Sequence, residues 1–138
     1  MEKITIYTAG AAKGNPGPAA IGVYAEDSKG NPVLEISESI GNATSEYAEY
    51  YSVARGFQLV KEKFEEKTRE IQFELKQENE LVHKHLNADA QINDVSLIGH
   101  FIEIYNIRVS HFHNLILTKI SHKENTTAQH LVARVLDV

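Results

Sequence analysis

The feature that most constrains the fold is a change of period. From Lys3 to about Ile40 apolar side chains recur at every second position, and from Thr44 they recur every three or four. Ile4, Ile6 and Thr8 alternate with Thr5, Tyr7 and Ala9, so residues 3 to 9 read as a strand. The glycine- and proline-bearing stretch 10 to 18 reads as the loop that ends it. Ile21, Val23 and Ala25 mark a second strand over 19 to 27. A turn at Ser28 to Pro32 and a third strand through Leu34, Ile36 and Ile40 complete an antiparallel meander. Tyr50, Val53, Ala54, Phe57, Val60 and Phe64 then form the stripe of an amphipathic helix, with Thr44 or Ser45 as its N-cap. Gly56 inside that stripe costs about 1 kcal/mol relative to alanine, which a close helix–sheet contact would explain.

The later segments repeat the switch. Ile71, Phe73 and Leu75 give a fourth strand ending near Lys76, Glu78 to Leu86 a short helix, and Val95 to about Val109 a second one carrying Leu97, Ile98, Phe101, Ile102 and Tyr105. Leu115 to Ile120 reads as a buried fifth strand, and Ala128, Leu131, Val132 and Val135 line the apolar side of a terminal helix. A meander followed by alternating helices and strands implies an α/β fold: a five-stranded mixed sheet, antiparallel through strands 1 to 3, with strands 4 and 5 parallel and helices on its faces. The 138 residues are expected to form one domain, 1–138.

Composition narrows the function classes. No cysteine is present, which excludes disulfides and thiolate metal sites and favours a cytoplasmic location. No apolar run is long enough for a membrane span, so no membrane partner is expected. Fourteen basic residues against nineteen acidic ones give a net charge of −5, and the basic ones are interleaved with acids, as in Lys61 to Lys67. The broad basic stripe that drives tight phosphate binding is missing.

Four short stretches carry a family resemblance. Tyr7-Thr8-Ala9-Gly10-Ala11-Ala12-Lys13-Gly14-Asn15-Pro16-Gly17 is similar to the strand and glycine loop that open type 1 ribonucleases H. Thr44-Ser45-Glu46-Tyr47-Ala48-Glu49-Tyr50 resembles the start of that family's first helix. Glu78-Asn79-Glu80-Leu81-Val82 resembles the end of its fourth strand, and Asn125 to Leu131 its last helix. The resemblance spans nearly the whole chain. It implies a ribonuclease H-like fold and, in active members, cleavage of the RNA strand of an RNA–DNA hybrid by two Mg2+ ions held on four carboxylates.

Carried over residue by residue, the resemblance places two carboxylates, Glu49 and Glu78, as catalytic residues and metal ligands. The other two positions are degenerate: Ala9 stands where the ligand shared by both metals is expected, and Gln129 where the last aspartate is expected. Glu78 lengthens an aspartate by one methylene, against the near-octahedral geometry that Mg2+ demands. Gln129 retains a neutral carbonyl oxygen as a possible donor. The resemblance further implies nucleic-acid contacts at Gly10, Ala11, Lys13, Gly14 and Asn15, and at Ser45 and Glu46, which replace a pair of asparagines. An acid at Glu46 opposes a phosphate.

Three functions follow as expectations. The first is a nuclease-impaired or inactive homologue with weak binding of RNA–DNA hybrid or other nucleic acid. The second is an active hybrid endoribonuclease with altered ligands, using Mg2+ or Mn2+, whereas no cofactor is expected for the first. The third is a protein-interaction module on the same scaffold, which the acidic balance favours. His122 falls where short-loop members carry an arginine, and His130 would reach the site only through about 100° of helix rotation. His83 and His85 are two apart on a helix and cannot share a face, and His111 and His113 lack a third ligand at fixed spacing. Glu80, Asp89 and Asp94 read as solvated acids.

Overall fold

The computed structural model describes residues 2–136. Five strands, β1 (Glu2–Ala12), β2 (Gly17–Asp27), β3 (Pro32–Ala43), β4 (Ile71–Gln77) and β5 (Leu115–Lys119), form one sheet in the order β3-β2-β1-β4-β5. The pairs β1–β2 and β2–β3 are antiparallel, and β1–β4 and β4–β5 are parallel, which is the mixed sheet expected from the sequence. Four helices accompany it: α1 (Ser45–Phe64), α2 (Glu80–Leu86), α3 (Ile98–His111) and α4 (Thr126–Leu136). No helix among the described residues is long and apolar enough to cross a membrane.

The period-two pattern of β1 decides which helix covers which face. Ile4 and Ile6 join Val23, Tyr50, Val53, Phe57 and Phe73 in the main core, on the side of α1. Ala9 belongs to a smaller cluster with Ala20, Ala128, Val132 and Leu136 on the side of α4, with Tyr7 and Ala11 packed beside it. Thr44 caps α1, its hydroxyl accepting from the Tyr47 N–H at 3.0 Å. The expected reason for Gly56 holds, since a methyl group there would lie 3.3 to 3.7 Å from Val23, Thr8 and Ile6.

Several boundaries and faces differ from the sequence reading. The loop after β1 spans only residues 13 to 16, because β1 and β2 keep pairing as far as Ala12 and Ala19. Small side chains and glycines tolerate extended pairing here, and the local signal of Gly10 is overridden by the ladder. Helix α2 starts at Glu80 rather than Glu78, because the Asn79 side chain caps it by accepting from the Val82 N–H at 3.0 Å. Residues 95 to 97 form a separate 3-10 turn before α3.

The fifth strand is an edge strand, with Leu115 and Leu117 only half-buried and Ile116 exposed. Its apolar run reflects packing on one face, not burial on both. On α4, Leu136 takes the buried place expected for Val135, which is exposed. Helix α3 buries Ile104 and Ile107, and the preceding turn buries Leu97; Ile98, Ile102 and Tyr105 of the expected stripe face solvent instead.

Candidate active site

Two parallel neighbours, β1 and β4, end beside the starts of α1 and α4, the place where α/β sheets present ligand sites. Gly10 makes the approach possible. A Cβ there would lie 2.4 to 2.5 Å from the backbone of Ala48 and Glu49, so β1 touches α1 with no room for a side chain. On the other side, the Asn125 side chain just before α4 donates to the Thr8 carbonyl at 3.0 Å. Residues 8 to 10 are thereby held between both helices.

Glu49, on α1, accepts a hydrogen bond from the Asn79 amide. Asn79 is itself fixed: its N–H donates to Gln77 Oε1 at 2.8 Å, its carbonyl accepts from Gln77 Nε2 at 3.1 Å, and its own side chain caps α2. Burial pushes the Glu49 carboxyl up to about 7, against the lowering effect of Asn79 and with further upward pushes from Glu46 and Glu78.

Glu78, one residue beyond β4, has a richer set of partners. Its Oε1 lies 2.9 Å from His122 Nδ1, and its Oε2 accepts from Asn125 Nδ2 at 2.9 Å and Gln129 Nε2 at 2.7 Å. Burial pushes this carboxyl up as well, but the donors from Asn125, His122 and Gln129 outweigh it and hold Glu78 below the ordinary carboxylate range. One site thus holds two acids displaced in opposite directions.

Of the residues picked out in the sequence, Glu49, Glu78 and Gln129 converge. Ala9 is only 2 % exposed, its methyl in the apolar cluster with Ala128 and Val132. Gln129 turns its amide nitrogen, not its carbonyl oxygen, toward Glu78, because a carboxylate can only accept; the oxygen donor expected there is therefore a hydrogen-bond donor. Gly10 is buried against α1, Ala11 is half-buried, and Lys13, Gly14 and Asn15 are exposed at the hairpin tip. Asn15 Oδ1 accepts from the Ser45 N–H at 3.0 Å and so ties the hairpin to the start of α1. Ser45 and Glu46 are half-buried in that first turn.

Three site partners were not assigned from sequence. Asn79 and Asn125 both stood inside the quoted motifs, yet nothing in a sequence says which polar neighbour turns inward. His122 was noted only for its place in the loop, and here it reaches Glu78. His130 is exposed on α4, and His111 bonds Thr68 Oγ1 at 2.9 Å, far along the chain from the site. Glu80 pairs with Lys84 and Lys119, and Asp94 caps its own turn.

A pair of Mg2+ ions needs several hard oxygen donors, mostly anionic. Two of the four expected ligand positions carry carboxylates, three of their four oxygens already accept from the protein, and although Glu46 stands near enough to act on Glu49, no group of three or more acidic, histidine or cysteine side chains among the described residues is arranged to hold a metal. The donor set does not fit a two-metal centre.

The mixed sheet, the helix on each face and the acidic pair at the carboxyl ends of β1 and β4 define an α/β protein of the ribonuclease H class. No protein-family model matches the sequence. LC11-RNase H1, isolated from compost by a metagenomic approach, superposes with a TM-score of 0.92 at 34 % identity over 99 % of this chain and 97 % of that one. Its structure in complex with an RNA/DNA hybrid gives 0.91 at 34 % identity over 97 % and 96 %. The ribonuclease HI of Halobacterium salinarum is 28 % identical over 136 residues, which cover 98 % of this chain and 65 % of that protein, so the chain spans just under two thirds of its curated relative. The chain belongs to the type 1 ribonuclease H family.

Proposed function

We propose that this chain is a ribonuclease H-like protein that binds RNA–DNA hybrid weakly and is impaired in cleaving it, built as one domain over its 138 residues. The observation that carries the reading is that three of the four oxygens of the acidic pair already accept hydrogen bonds from the protein's own side chains. Asn79 donates to Glu49, and Asn125, Gln129 and His122 gather on Glu78. Amide donors neutralise no formal charge, but they satisfy carboxylate oxygens that a metal would otherwise need. Glu49 and Glu78 are the remnants of the catalytic and metal-binding set in this account, and Ala9 and Gln129 its lost members.

Support for hybrid as the partner comes from the LC11 relative, which is seen with an RNA/DNA hybrid. The contact surface proposed is the exposed hairpin tip Lys13-Gly14-Asn15, with Gly10 and Ala11 shaping it and Ser45 and Glu46 at its edge. A net charge of −5 and an acid at Glu46 argue that the affinity is low. The same acidity favours, as a second reading, a scaffold kept for a protein partner.

Titrating a labelled hybrid at several salt concentrations, in EDTA and in Mg2+, tests this. Affinity should fall as salt rises, with a slope equivalent to only about two or three phosphates, and should not rise on replacing EDTA with Mg2+. A tenfold gain on adding Mg2+ would mean that the acidic pair recruits cations after all. Absence of binding at the lowest salt would favour the protein partner.

A further inference from the structure

Helix α3 carries a second apolar face that nothing among the described residues covers. Val95 in the turn before it, and Ile98, Ile102, Tyr105 and Val109 along it, are 79, 39, 53, 51 and 58 % exposed. They do not share the face that packs inward, which is made by Leu97, Ile104 and Ile107. Large apolar side chains scattered singly on a surface need no explanation, but five in one stripe do.

The spacing of the stripe says what fits it. Ile98, Ile102, Tyr105 and Val109 are separated by four, three and four residues, the seam spacing of paired helices. That series reads the same in both directions. A two-fold axis crossing α3 midway between Ile102 and Tyr105 sets Ile102 against the partner's Tyr105 and Ile98 against the partner's Val109, as an isologous interface requires.

We propose that α3 is a homodimer interface, with a second copy of this chain packed antiparallel along the stripe. Charge permits it. Gly99 and Asn106 border the stripe on one side and Phe101 and Arg108 on the other, so Arg108 is the one formal charge among them; the axis sets the two copies of Arg108 at levels about 13 Å apart, from nine residues of helical rise. The stripe itself is uncharged, and the cleft on its Gly99 and Asn106 side mixes both signs, with Lys61 beside Glu62 and Glu103. Gly99 has open space where a side chain would stand, which lets a second helix approach closely.

Area sets the strength. With ordinary side-chain areas the stripe exposes roughly 450 Å² per copy, so the pair would bury about 900 Å², short of the ~1,200 Å² of standard interfaces. A cavity of about 220 Å³ lies beside the stripe, lined by Leu86, Phe101, Ile104 and Tyr105 together with His85 and Arg108. The dimer is accordingly weak, with a dissociation constant on the order of tens of micromolar.

Sedimentation velocity of the full chain from micromolar to about 0.5 mM should show a reversible shift from monomer to dimer. Ile102→Glu, on an exposed position, should leave the melting temperature within a few degrees of the parent and weaken association at least ~10-fold. Since the chain has no cysteine, mixing Ile102→Cys with Tyr105→Cys protein under oxidation should give a disulfide-linked heterodimer in excess of either homodimer. A chain that stays monomeric at all concentrations overturns the proposal. So does a dimer indifferent to Ile102→Glu, or a stripe whose Ile102→Glu variant loses affinity for RNA–DNA hybrid while the parent remains a monomer.

Discussion

Glu49 and Ala9 each make a prediction at the scale of a single side chain. Glu49 keeps its proton in the folded protein up to about pH 7, whereas an ordinary glutamate loses it near 4.5. Between those values unfolding releases a proton, so stability must fall as pH rises through the window, by about 2 kcal/mol after allowing for the partial exposure of the group. Urea midpoints at pH 5 and pH 8 should show this loss, and Glu49→Gln should abolish most of it. Glu78 acts in the opposite sense and elsewhere: its carboxyl is held below 4.5, so its contribution is present above that pH and disappears in more acid solution. Ala9 has become part of an apolar cluster. Ala9→Asp is expected to cost about 2–4 kcal/mol in EDTA, because the new carboxylate would be buried among Ala20, Ala128 and Val132. Thermal melts of the single variant and of Ala9→Asp with Gln129→Asp, each with and without Mn2+, read both that cost and its recovery by metal. If the double variant gains nothing from Mn2+, the scaffold no longer supports a metal pair.

Among the elements, the contact between β1 and α1 sets Glu49 beside the end of β1. Gly10→Ala would press a methyl group to within 2.5 Å of the Ala48 and Glu49 backbone, and such overpacking costs about 3 kcal/mol. Gly99→Ala on α3 meets nothing and should stabilise the helix by up to ~1 kcal/mol. Chemical denaturation of the two variants gives both signs in one experiment. The elements themselves were legible because period follows from backbone geometry: the alternation of Ile4 and Ile6 and the stripe of α1 are local properties. Burial was less legible. Nothing local distinguishes Leu115 to Lys119 on a sheet edge from a central strand, nor tells which side of α3 faces inward, because both depend on the order in which strands assemble. At the site, motif positions pointed to Glu49, Glu78 and Gln129, which lie together in the fold, whereas the hydrogen bonds of Asn79 and Asn125 to the two acids join residues 30 and 47 apart in sequence.

For the molecule as a whole, the scaffold superposes closely on LC11-RNase H1, while the amides of Asn79, Asn125 and Gln129 donate to its two acids. A fold can host a site without its reaction, so activity has to be measured at the site and not inferred from the sheet. The most direct measurement incubates a hybrid labelled on its RNA strand with the protein in Mg2+ and then in Mn2+, beside the Ala9→Asp/Gln129→Asp variant. The RNA strand should remain intact with the parent chain in both metals. Cleavage by the parent that vanishes in Glu49→Gln would contradict the account.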